Sequence, residues 1–176
     1  MQTADLFRVS QYVSLPLLAQ HIDPTPFGAH TGAVLPEAVK EAGACGTLLN
    51  HAEKPLSFTV LEQTISRAQE AGLLTVVCVP DALAAQKITD LKPDIVSVEP
   101  PELISSGIPV SLAKPELVTG CLDAVRPVPV LCGAGIRTAD DVRAALKLGA
   151  QGVLLASGYC LAAEPMLWLE NLLKGF

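Results

Sequence analysis

The chain has 176 residues, 50% of them apolar but only 4% aromatic, and carries a formal net charge of -6. That length predicts one domain, residues 1–176, and a core of Val, Leu, Ile and Ala suits parallel strands sandwiched by helices better than an aromatic-rich β-sandwich. The acidic balance argues against nucleic acid as a partner and offers no basic strip to a membrane surface, and no apolar run approaches the roughly 18 residues of a membrane span.

Asp5 and Arg8 near the start, and a short apolar run from Tyr12 to Ala19 broken by Ser14 and Pro16, do not make a signal peptide. Five cysteines (Cys45, Cys78, Cys121, Cys132 and Cys160) show no CxxC or other ligand-like spacing. An odd number cannot all pair within one chain, so they read as reduced, buried thiols of a cytoplasmic protein, and no metal site is expected.

Residues 3–13 can be drawn as an amphipathic helix with Leu6, Val9 and Val13 on one face. Residues 15–22 read as a strand. Residues 23–34, rich in Pro, Gly and Thr, form a long loop of the functional or interface kind. From there a unit recurs: a helix, a Gly near its C-terminus, then a short apolar strand. It is seen in KEAGACGTLLN with Gly43, QEAGLLTVVCV with Gly72 and KLGAQGVLLAS with Gly149, each Gly suited to the left-handed position after a helix. Strands are expected to begin near Gly46, Leu74, Asp94, Val128 and Gly152.

Phe58, Leu61, Ile65 and Ala68 make one helical face, with capping-box spacing at Thr59 and Glu62. Thr138 and Asp141 repeat that spacing before Val142, Ala145 and Leu146. The closing segment Pro165–Leu173 offers Leu167, Trp168 and Leu172 to cover the outside of a sheet. Six strands, each followed by a helix or a helix-like crossover, predict a parallel sheet with right-handed crossovers: most of a βα barrel, or a doubly wound sheet.

Parallel strands gather their carboxyl ends on one rim, where such folds hold their chemistry. The stretch VSVEPPELISSGIPVS puts Glu99 at the end of an apolar run, ahead of Pro100 and Pro101, which stop laddering, and of a loop containing Gly107. Beyond Leu49 come Asn50, His51, Ala52 and Glu53; beyond Leu131 come Gly133, Ala134 and Gly135; beyond Leu155 come Ser157 and Gly158. The last two are bare turns entering helices, suited to cradling a phosphate, and late in the chain they match the recurrent phosphate site of βα barrels. His51 near Glu99 would give a base and a neutral electrophile for moving a proton next to a carbonyl. The plain alternatives are a strand-end carboxylate in water and a strand-end histidine bonded to a carbonyl.

In order, AQHIDP, GAHTG, GTLLNHAEK, VCVPD, VEPPELISSGIPVS, VLCGAGI and GVLLASG closely resemble triosephosphate isomerase of the compact archaeal type, from about Leu15 to the end. The resemblance implies a (β/α)8 TIM barrel of glycolysis and gluconeogenesis that interconverts dihydroxyacetone phosphate and glyceraldehyde 3-phosphate without a cofactor. By the family pattern Glu99 shuttles the proton through an enediolate and His51 polarises the carbonyl. The loop from Pro100 to Ser111 is the closing lid, and Ser106, Gly107, Gly133, Ala134, Gly135, Ser157 and Gly158 hold the phosphate. GAHTG, from Gly28 to Gly32, resembles the loop that reaches into a neighbouring subunit, which implies a homo-oligomer.

The same pattern marks departures. Glu53 matches a glutamate that pairs with the family's lysine, but the opening strand with its Asn-x-Lys motif has no counterpart in this sequence. Strand one, helix one and strand two are absent, leaving about six of eight strands, an open edge with unpaired backbone groups and an isomerase expected to be weak or inactive. Ala52 stands where the family has a serine that holds the resting base, and Ser105-Ser106 replaces a Gly-Thr pair in the lid. A non-catalytic phosphate-binding or assembly module is the competing reading, and a phosphate-binding barrel synthase of aromatic or thiazole precursors is a third.

Overall fold

The computed structural model describes residues 1–104 and 106–176, so Ser105, one of the two substituted lid positions, lies outside the described residues. The strands follow one another in chain order, β1-β2-β3-β4-β5-β6. The chain divides into two compact units, Met1–Cys78 with Asp90–Asp94, and Val79–Thr89 with Ile95–Phe176.

In the first unit a 3-10 turn leads into α1 (Leu6–Ser10), followed by β1 (Leu18–Ala19), α2 (Pro36–Glu41), β2 (Gly46–Leu49), α3 (Phe58–Ala71) and all but the last residue of β3 (Leu74–Val79). Both strand pairs are parallel, with Leu18 opposite Gly46 and Gly46 opposite Leu74. Two expectations shrink here. The helix drawn over residues 3–13 stops at Ser10, because only Leu6 of its apolar face is buried and Val13 is exposed. The strand expected over residues 15–22 keeps two residues: Leu15 is exposed, Pro16 has no N–H to ladder, and His21 turns to meet Asp23 at 3.1 Å.

Helix α3 buries Leu61, Thr64, Ile65, Ala68 and Ala71, while Phe58, its first residue, is half exposed. Its cap is also not the one expected. The Ser57 hydroxyl accepts from the Val60 N–H at 3.4 Å, one residue ahead of the helix, which leaves Thr59 already inside the first turn. The C-terminus follows expectation, with Gly72 at φ 69°.

The long loop 23–34 is closed at its base by two bonds between Asp23 and Val34, one of 2.9 Å between backbones and one of 2.7 Å to the Asp23 carboxylate. Arg67 holds the loop from α3. Its guanidinium donates to the Thr25 carbonyl at 3.3 Å, to Glu37 at 2.6 Å and to Glu70 at 2.6 Å. Arg67 keeps the Glu37 carboxyl below its ordinary pKa. Arg67→Ala is therefore expected to cost about 1–3 kcal/mol in urea denaturation at pH 7. A depressed carboxylate contributes its stability above its unfolded pKa of about 4 and loses it as pH falls through the folded value, so the difference between variant and parent should shrink in the same titration at pH 3.

The second unit contains α4 (Ala82–Ile88), β4 (Ile95–Val98), α5 (Val110–Ala113), α6 (Pro115–Val125), β5 (Val130–Cys132), α7 (Ala139–Lys147), β6 (Gly152–Val153), α8 (Ser157–Cys160) and α9 (Pro165–Leu173). β4 runs parallel to β5 and β5 to β6, and Val96, Val98, Val130 and Cys132 are fully buried between covering helices. Strands β4 and β5 start one and two residues later than expected, at Ile95 and Val130. The capping box of α7 is present as read: Thr138 Oγ1 accepts from Asp141 N–H, and the Asp141 carboxylate accepts from Thr138 N–H. In α9 Leu172 is buried in a cluster with Ile136 and Val142 against which Trp168 packs, but Leu167 is exposed.

The five cysteines are not uniformly buried: Cys78, Cys121 and Cys132 are, Cys45 is intermediate and Cys160 is exposed at the end of α8. Burial pushes the Cys121 and Cys132 thiols up to about 12, with Asp81 adding to the first. Since the thiolate is the reactive form, a thiol reagent at pH 8 should label Cys160 quickly and leave Cys121 and Cys132 unlabelled until denaturant is added; peptide mapping by mass spectrometry reads this directly. Among the described residues no helix is long and apolar enough to cross a membrane.

Candidate active site

In the second unit Glu99 follows β4 directly. Its N–H donates to the Val79 carbonyl at 2.8 Å, and the residue is 7% exposed. The carboxylate lies over the turn after β5. A Cβ built on Gly133 would fall 2.6 Å from Glu99 Cδ and nearer still to Cγ and Oε1. The Gly133 N–H meanwhile donates to the Val98 carbonyl at 3.0 Å, locking the turn to β4. Gly133, read from the sequence as a phosphate donor, is thus also the floor beneath Glu99. No motif spacing announces that role; it follows from two strand ends being neighbours.

The rest of that turn is left-handed, with Ala134 at φ 69° and Gly135 at φ 76°. A Cβ on Gly135 would collide with the Ile108 carbonyl and lie 2.7 Å from Pro109 N. Ile108 and Pro109 are therefore seated on the same turn. Nearer Glu99, Pro101–Leu103 makes a 3-10 turn with Leu103 buried, and Glu102 pairs with Lys114. The Ser106 hydroxyl donates to Leu103 O at 2.8 Å and accepts from Ile108 N–H at 3.0 Å, tying these residues to one another. Gly107 takes φ 75°, a conformation few other residues tolerate. Ser157 opens α8, and Gly158 sits against Trp168, where a Cβ would lie 3.0 Å from Cζ2.

In the first unit the histidine is positioned by its neighbour. Asn50, at φ 58°, donates from Nδ2 to the Cys78 carbonyl at 2.9 Å and accepts at Oδ1 from Leu56 N–H at 2.9 Å. This brace holds the loop that carries His51, a role that the strand-end position suggested for no residue in particular. His51 Nδ1 accepts from the Glu53 N–H at 3.2 Å, which leaves the proton of the neutral ring on Nε2. The Glu53 carboxylate stands 3.6 Å from Nδ1 and is 88% exposed. Among the described residues no Lys or Arg pairs with it, and no cluster of His, Cys, Asp or Glu has the makings of a metal site.

The triosephosphate isomerase family model matches residues 1–171. The chain belongs to the triosephosphate isomerase family. It is 53% identical over 168 residues to the triosephosphate isomerase of Methanothermobacter thermautotrophicus, covering 93% of this chain and 73% of that protein. With the enzyme of Methanobacterium bryantii it shares 48% over 177 residues, 98% of this chain and 78% of the relative. The Bartonella henselae triosephosphate isomerase structure superposes with a TM-score of 0.72 at 19% identity, over 98% of this chain and 83% of the other. Triosephosphate isomerase membership makes the chain an isomerase of glycolysis by family, and the fold is an incomplete (β/α) barrel, with six parallel strands among the described residues.

Proposed function

We propose that the chain interconverts dihydroxyacetone phosphate and glyceraldehyde 3-phosphate, with Glu99 as the base. The observation that carries this reading is the seat of Glu99: a shielded carboxylate at the end of β4, resting on a glycine turn on which the lid also lands. In the proposed reaction the Glu99 carboxylate takes a proton from the carbon beside the carbonyl and returns it to the neighbouring carbon. The enediolate oxygens between these steps need a hydrogen-bond donor that does not itself give up charge. His51 suits that task as a neutral ring, because its Nδ1 is already an acceptor and Nε2 carries the hydrogen. Triosephosphate isomerase is itself the type example of this Glu and neutral His pairing, with a closing loop that excludes water.

The phosphate would rest on Gly133, Ala134 and Gly135, on Ser157 and Gly158 and against lid residues Ser106 and Gly107, where backbone N–H groups face an anion without steric competition. Glu53 completes the set as a residue that orients His51 through its backbone N–H. The loop from Gly28 to Gly32, exposed beside Phe27, would join copies of the chain into a cytoplasmic homo-oligomer. A phosphate-binding module without turnover is the second reading, favoured by the exposed Glu53, whose family partner is a lysine.

The deciding experiment follows dihydroxyacetone phosphate in D2O by proton NMR. Turnover at Glu99 puts deuterium on the carbon that loses its proton and produces glyceraldehyde 3-phosphate in a coupled assay. Binding of 2-phosphoglycolate with neither exchange nor product would replace the isomerase reading with the binding module.

A further inference from the structure

Arginines in this chain are almost all committed. Arg8 pairs with Asp5, Arg67 with Glu37 and Glu70, Arg126 with Asp123 and Arg143 with Asp140. Arg137 differs: among the described residues its guanidinium meets no carboxylate. Its backbone is nonetheless fixed, since its N–H and that of Thr138 donate to the Asp141 carboxylate at 2.9 and 2.8 Å. The head group lies against the lid. A Cβ on Gly107 would be 2.8 Å from Arg137 Cζ and 3.1 Å from Nε and Nη1, so the guanidinium occupies the space a side chain there would need. Arg137 also lines a groove of about 360 Å³ with Ser157, Gly158 and Trp168.

An uncommitted planar cation therefore stands between the lid glycine and the turn that opens α8. Lys114, the cation paired to the lid's other end, is held by Glu102. A chain of net charge -6 that is to hold a phosphate dianion needs positive charge at the site, and the guanidinium fork matches two phosphate oxygens at once. We propose that Arg137 is a further phosphate-binding residue of the substrate site, placed beside Gly107. This rests on the isomerase reading for the identity of the substrate but not for the presence of the anion.

The test compares the parent chain with Arg137→Ala, Arg137→Lys and, as control, Arg126→Ala, all checked for unchanged thermal unfolding. Arg137→Ala is expected to raise KM for dihydroxyacetone phosphate about tenfold or more with kcat within about threefold, and to weaken 2-phosphoglycolate binding in calorimetry by a similar factor. Arg137→Lys should recover part of both losses, and Arg126→Ala should change neither. Turnover with KM and phosphoglycolate affinity unaltered in Arg137→Ala overturns the proposal and leaves the isomerase reading standing. Arg137-dependent phosphoglycolate binding without turnover in the parent supports the proposal while the isomerase reading fails. A parent chain that neither binds nor turns over overturns both.

Discussion

Replacing Glu99 by Gln is expected to lower turnover of dihydroxyacetone phosphate by about 10²–10⁴-fold, the usual contribution of a positioned general base. The substitution keeps the shape of the side chain, so its packing over Gly133 is retained and the fold is not put at risk. What is lost is the capacity to hold a proton between two carbons. KM should change little, because the phosphate would be gripped elsewhere, and the deuterium exchange described above should disappear in parallel with kcat. A variant with full turnover would rule Glu99 out as the base.

Gly133→Ala is expected to be nearly as damaging to catalysis, for a reason confined to one contact. Gly133 is not among the residues with positive φ, so its backbone accepts a side chain without strain. The added methyl would instead occupy the volume of the Glu99 carboxyl group. Either the carboxylate swings off the turn or the turn lifts away from β4; both misplace the proposed base, and a displacement of about 1 Å can cost 10²-fold in rate. Overpacking of this kind also destabilises by about 1–3 kcal/mol. Shortening the partner should relieve the collision, so Gly133→Ala placed in a Glu99→Ala background should cost much less stability than it does alone. Additive losses in that cycle, measured by urea denaturation, would show that the two residues do not compete for the same space.

Much of this was legible from residue order. Gly72 and Gly149 end their helices where expected, Thr138 and Asp141 form their capping box, and Glu99 ends a buried strand, because these features depend on residues a few positions apart. The misreadings share a cause. Thr59 and Glu62 have capping spacing, but spacing does not say where the helix begins, and Ser57 reaches the free N–H first. The helix over residues 3–13 rests on apolar residues three and four apart and the strand over residues 15–22 on its apolar run, and burial reaches only part of each. In the candidate site, the residue types at the strand ends are readable while the contacts among them are not. Gly133 as the floor under Glu99, Gly135 as the seat of Ile108 and Pro109 and Asn50 as the brace beside His51 all arise from contacts between distant stretches of chain, which no local pattern encodes.

The strand order has a kinetic consequence. Because each strand neighbours its successor in the chain, the parallel pairs within each unit join residues roughly 20 to 35 positions apart, a short loop-closure distance for a parallel sheet. Each unit can thus gather its own strands before any longer-range search. Amide hydrogen exchange should then reveal two sets of slowly exchanging strand amides, β1 to β3 and β4 to β6, each losing protection as a group.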